Sequence, residues 1–106
     1  MSDTPEPASV PRGIAEVQAL EATFDALAHA SRRTILTVLH ENKGEMTSKA
    51  IASRFDCSWP TTSRHLRVLQ EAGLVHVTLQ GRERVYQLDR RRLLDVAGAW
   101  INRFAD

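Results

Sequence analysis

The chain lacks what several protein classes require. A single cysteine, Cys57, in 106 residues excludes an internal disulfide, and any zinc site taking two thiolates from one chain. No run approaches the ~18 apolar residues of a membrane span. The first thirteen residues, MSDTPEPASVPRG, have neither the basic start nor the apolar stretch of a secretory signal. Five glycines and four prolines are too few for a collagen-like chain. A nucleophile elbow, a phosphate loop and paired carboxylates in a cleft are missing as well, so an enzyme is not expected. The expectation is a soluble cytoplasmic protein with no membrane contact.

What is present is an ordinary globular composition, 42% hydrophobic and 25% charged, at the length of one domain. A monomer this small hides only about 60–70% of its unfolded surface, so a partner subunit would help. The net charge is +1, but its distribution is uneven. Residues 1–30 hold one basic and five acidic side chains, whereas residues 58–92 hold seven basic and three acidic. Such asymmetry can mark a nucleic-acid face, and a solvated charged surface accounts for it equally well.

Residues 1–13, with Pro5, Pro7 and Pro11, read as a flexible tail ahead of a domain over 14–106. Ile14, Val17, Leu20, Phe24 and Leu27 recur at helical steps. A second helix is expected from Ser31 as cap, through Ile35, Leu36, Val38 and Leu39, to near Gly44. Thr47 can cap a short third helix, and Ser58 a fourth with Pro60 in its first turn, where a missing N–H costs nothing. Thr62, Leu66, Leu69 and Gly73 define the fourth helix's inner face, with Gly73 suited to a left-handed end. The period then drops to two over Val75, Val77 and Leu79. A turn at Gln80-Gly81-Arg82-Glu83 leads into a second strand through Leu88, making a hairpin. Asp89 caps a last helix carrying Leu93, Ala97, Trp100 and Phe104.

The order α-α-α-α-β-β-α, mainly helical with one β-hairpin, is that of a winged helix-turn-helix. A major groove roughly 12 Å wide admits one helix, which needs an apolar inner stripe and a polar outer one. On the fourth helix Pro60, Thr61, Arg64 and Arg67 lie opposite Leu66 and Leu69, with Ser63 and His65 flanking. Ser48 and Lys49 at the start of the third helix suit phosphate. Arg82 and Arg84 at the hairpin tip suit a minor groove or its phosphates. Trp59 starts the fourth helix beside its inner face, where packing is favoured over base contact. Arg90-Arg91-Arg92 reads either as a solvated helix start or as a phosphate clamp.

At these residues the sequence resembles the ArsR/SmtB winged-helix repressors of prokaryotes. The stretches FDALAHASRRTIL, SRHLRVLQEAGLV and LVHVTLQGRERVYQLD carry the likeness, over about residues 20–105. It departs at Ala30, where a proline is usual. The resemblance implies a homodimer joined by first and last helices, bound to double-stranded DNA at a palindromic operator as a repressor. The interface residues expected are Ile14, Val17, Leu20, Phe24, Leu93, Ala97, Trp100, Ile101 and Phe104, whose stripes exceed what one small core can cover.

Metal sensing, common in that family, is not expected here, and neither is a cofactor. The family's Cys-x-Cys pair would fall near Thr47 and Lys49, and residues 90–106 hold no histidine. Cys57 reads as a packed, inert thiol, with a thiol- or redox-responsive regulator as the alternative. His29, His40, His65 and His76 share no i,i+3 or i,i+4 spacing and read as scattered structural histidines, with donation to a DNA phosphate as the alternative for His65. A winged-helix module that binds protein is a further alternative, opposed by the outer-face arginines.

Overall fold

The computed structural model describes residues 12–105. Of the tail expected over 1–13, residues 1–11 lie outside the described residues. The first helix, α1 (Arg12–Leu27), starts two positions before Ile14. It is followed by α2 (Ala30–Glu41), β1 (Glu45–Thr47), α3 (Ser48–Arg54), α4 (Trp59–Glu71), β2 (Val75–Gln80) and β3 (Glu83–Leu88). The C-terminal helix runs without a break through α5 (Arg90–Leu93), a π segment (Leu94–Gly98) and α6 (Ala99–Asn102). The architecture is mainly helical with a small antiparallel sheet, a winged helix-turn-helix. No described helix is long and apolar enough to cross a membrane.

Helix ends follow local chemistry, with one correction. His29, not Ser31, caps α2: its Nδ1 accepts the Ser31 N–H at 3.3 Å. Ala30 is already helical, so the Ser31 hydroxyl comes one residue too late to cap. Thr47 accepts the Ala50 N–H at 3.0 Å and starts α3, and Ser58 accepts the Thr61 N–H at 3.4 Å and starts α4. At the far end of α4, Leu74 N–H reaches Leu69 O and Gly73 N–H reaches Gln70 O, both at 2.9 Å. This is the paired Schellman end, and it needs the left-handed Gly73, φ +79.

The core forms where the inner faces converge. Ile35, Leu36 and Leu39 of α2, Ile51 of α3 and Leu66 and Leu69 of α4 are buried, with Leu74, Val75 and Tyr86 beneath them. Burying each large aliphatic side chain contributes about 1.5–3 kcal/mol, so the α4 stripe fixes which face of that helix points outward.

β1 was not foreseen. Its three residues pair with β3, making a sheet of order β1-β3-β2 instead of a lone hairpin. The hairpin has the expected register, Gln80 opposite Glu83, with Gly81 at φ +67. Positive φ at the first of two turn residues alone is the type II′ pattern. Burial along β2 fades from Val75 toward the turn, and Leu79 is 70% exposed.

Candidate nucleic-acid interface

Ser58 fixes the start of α4, and Thr62, Leu66 and Leu69 anchor its inner side. The opposite side therefore presents Pro60, Arg64 and Arg67 to solvent, with Ser63 half-buried at the flank. Thr61 is less free than expected, because the Ser58 hydroxyl donates to its Oγ1 at 3.1 Å.

A second group assembles beside this face. Ser48 and Lys49 of α3, Trp59 of α4 and the wing residues Arg82 and Arg84 border one open depression. Three basic side chains from two separate elements thus share a surface with the first turn of α3, whose free N–H groups attract anions. Trp59 is half-buried: it packs on the core and also borders this depression.

His65 turns sideways toward α2. An Arg32 NH1 donates to its Nδ1 at 3.4 Å, and its ring lies 4.5 Å from that of His29, centroid to centroid. Burial, then the charges of His29, Arg32 and Arg64, push its pKa below the ordinary histidine value. Sequence spacing missed this pair: His29 and His65 are 36 positions apart, and only the α2–α4 packing brings them together. Arg32 was missed too; it also ties down α1, donating to Ala26 O at 2.7 Å and Asp25 O at 3.1 Å.

Other expectations need correcting. Cys57 is exposed rather than packed, and it borders a cleft with Thr62 and His65. Arg92 is half-buried and lies against Gly73, with its Nε buried and without a hydrogen-bond partner among the described residues. Arg90 and Arg91 remain exposed. Among the described residues no three His, Cys, Asp or Glu side chains come together as a metal site.

The residues assigned to a subunit seam divide into two groups. Ile14, Val17, Trp100, Ile101 and Phe104 are exposed, and Leu20 and Phe24 are half-buried. Phe24, Trp100 and Phe104 form an edge-on aromatic row, with centroids 5.4 and 5.0 Å apart. Ala97, by contrast, is 4% exposed, and Leu93 packs on the core, so these two serve the protomer's own interior. Phe104 lies beyond the helix, in a turn closed by its N–H to Ile101 O at 3.1 Å.

Known proteins agree with this geometry. Residues 27–78, from the end of α1 into β2, match the helix-turn-helix domain family. The chain is 33% identical over 79 residues to the transcriptional repressor SdpR of Bacillus subtilis, covering 74% of this chain and 86% of that one. An ArsR-like transcriptional regulator from Rhodococcus sp. RHA1 superposes with a TM-score of 0.68 at 31% identity, over 86% of this chain and 91% of that one. The homodimeric winged helix-turn-helix DNA-binding domain of a Mycobacterium bovis protein gives 0.70 at 25%, over 91% and 88%. With its wing, its capped α4 and these relatives, the chain belongs to the ArsR family of winged helix-turn-helix transcriptional regulators.

Proposed function

We propose that this regulator is a homodimeric repressor that binds a palindromic operator, reading bases with α4 and gripping the backbone with the wing and α3. The observation that carries the reading is the pairing of two surfaces. The outer side of α4 offers Arg64 and Arg67, and the adjoining depression gathers Lys49, Arg82 and Arg84. Arginine on a groove-facing helix suits the O6/N7 edge of guanine, and cations at an exposed tip suit phosphate. Repression comes from the likeness to SdpR, which is named a transcriptional repressor.

The dimer reading is supported by the exposed Ile14, Val17 and Trp100, and by the homodimeric Mycobacterium bovis domain. A two-fold dimer places two copies of α4 on half-sites about one helical turn apart, roughly 34–36 Å. Selection of bound duplexes from a random library, at stated salt, tests the whole reading. The expected outcome is an inverted repeat with that spacing. Recovery of unrelated sequences, or of direct repeats, overturns it.

Exposure of Cys57 beside α4 favours a second reading, repression relieved by thiol modification. Alkylating Cys57 then lowers operator affinity, and unchanged affinity after complete alkylation excludes it.

A further inference from the structure

The two histidines brought together at the α2–α4 junction carry a consequence for DNA binding. The Ser31 N–H donates to His29 Nδ1 at 3.3 Å, and Arg32 lies with NH1 3.4 Å from His65 Nδ1. Neither donor can accept, so both Nδ1 atoms are unprotonated and each neutral ring carries its proton on Nε2. Two rings, His29 and His65, thus lie side by side with two guanidiniums, Arg32 and Arg64, acting on the second of them. From the loop before α4 the Cys57 thiol borders the same side of His65. From α1 the cluster receives only the carbonyls of Asp25 and Ala26, which Arg32 already occupies. Among the described residues the one carboxylate within 4 Å of a basic side chain is Asp89, paired with His76 at the wing base. No described carboxylate therefore pairs with the cluster.

Such a group is poised for an anion it does not contain. In the free protein, protonating His65 places a further cation beside Arg32 and Arg64 and is unfavourable. A phosphate oxygen against the rings reverses that balance: it accepts from Nε2–H and repays the added charge. The contacts that protonation of Nδ1 would end are the two long ones, 3.3 and 3.4 Å, at the weak limit for N–H donors.

We propose that His29 and His65, with Arg32, form a proton-linked anchor for a DNA backbone phosphate flanking the groove that α4 enters. The His65 ring is held neutral in the free protein and takes up a proton on the complex. Operator affinity therefore rises as pH falls through the histidine range. The anchor touches no base, so non-operator duplexes show the same gain. It rests on the DNA-binding reading above.

The test is anisotropy titration of the selected operator duplex and a scrambled duplex, from pH 8 to pH 6 at constant ionic strength. Each proton taken up per site contributes up to about tenfold in affinity per pH unit. Wild type is expected to gain about tenfold or more across the range on both duplexes. His65→Gln flattens the gain, whereas His40→Gln, an exposed α2 position, retains it. A gain that survives in His65→Gln overturns the anchor, as does an equal loss at every pH. A proton NMR titration of the wild-type rings, free and DNA-bound, keeps the test independent of the variants' folding. The His65 midpoint must move to higher pH on DNA, and an unmoved midpoint refutes the proposal. Absence of DNA binding at any pH refutes the DNA-binding reading instead.

Discussion

His76 Nε2 and Asp89 Oδ2 stand 2.7 Å apart and tie the base of the wing to the start of the C-terminal helix. The other carboxylate oxygen of Asp89 accepts the Arg92 N–H at 2.9 Å and caps α5. One side chain therefore fixes both the wing's angle and the helix that leaves it. The Arg92 N–H first, then His76, hold the Asp89 carboxyl below its ordinary value of 3.8. Its ionised form is favoured by folding, so this stabilisation is present above the unfolded value and lost as pH falls through the lower folded one. Asp89→Ala should cost about 0.5–2 kcal/mol at neutral pH, the range for a lost cap. Urea unfolding should show that gap narrowing as pH falls below the ordinary carboxylate value. An equal gap above and below that value contradicts the linkage.

Two glycines should respond oppositely to alanine. Gly73 has φ +79, and a Cβ there would stand 3.1 Å from Arg92 Nε. Gly73→Ala should destabilise by about 1 kcal/mol or more, since a residue with a Cβ is strained at this positive φ and the Arg92 side chain must also shift. Gly98 has ordinary helical angles, φ −61 and ψ −42, and its added Cβ meets Leu94 no closer than 3.7 Å. Gly98→Ala should be neutral or stabilise by about 0.4–1 kcal/mol. Thermal and urea melts of both variants decide, and similar shifts in the two contradict this account.

The subunit seam can be tested without disturbing the protomer. Val17 is 56% exposed on α1, so Val17→Asp leaves the monomer's core intact. Placed in a seam, the buried unpaired charge should shift dimer to monomer at micromolar concentration. Trp100→Ala should do the same by removing the centre of the row between Phe24 and Phe104. Sedimentation equilibrium of wild type and both variants measures this. A wild type that remains monomeric, or a Val17→Asp variant that remains dimeric, defeats the seam.

Much of this was legible in the residues because it is locally encoded. Ser58 with Pro60 announces the start of α4, Gly73-Leu74 its end, and Gly81 the turn of the wing. The misses share a cause: they depend on partners distant in sequence. A three-residue β1 is too short for a period of two and exists only because β3 supplies its hydrogen bonds. The His29–His65 contact is set by helix packing, which spacing along one helix does not encode. The π segment and the inward turn of Arg92 likewise leave no trace in the 4, 3, 4 spacing of Leu93, Ala97, Trp100 and Phe104. Among the residues chosen for DNA, the fold gathers Ser48, Lys49, Trp59, Arg82 and Arg84 around one depression. It leaves Pro60, Arg64 and Arg67 together on the outer side of α4.

Arg64 and Arg82 should separate base reading from anchoring. Arg64 is exposed on a helix whose opposite side is locked into the core, so its reach is defined enough for a bidentate contact to guanine. Arg64→Ala should cost about 1–3 kcal/mol on the operator and relax preference at one position per half-site. Arg82 occupies the second position of the wing's two-residue turn, beyond the last strand pair, Gln80 with Glu83. Nothing in the core fixes its direction, which suits attraction to phosphate rather than a rigid fork on a base. Arg82→Ala should weaken operator and scrambled DNA by similar factors. In a dimer it removes two phosphate contacts, lowering the slope of log affinity against log salt by about 2. Titrating both variants on both duplexes at several salt concentrations measures these differences. Equal weakening of the two duplexes by Arg64→Ala, or an operator-only effect of Arg82→Ala, would reverse the assignment.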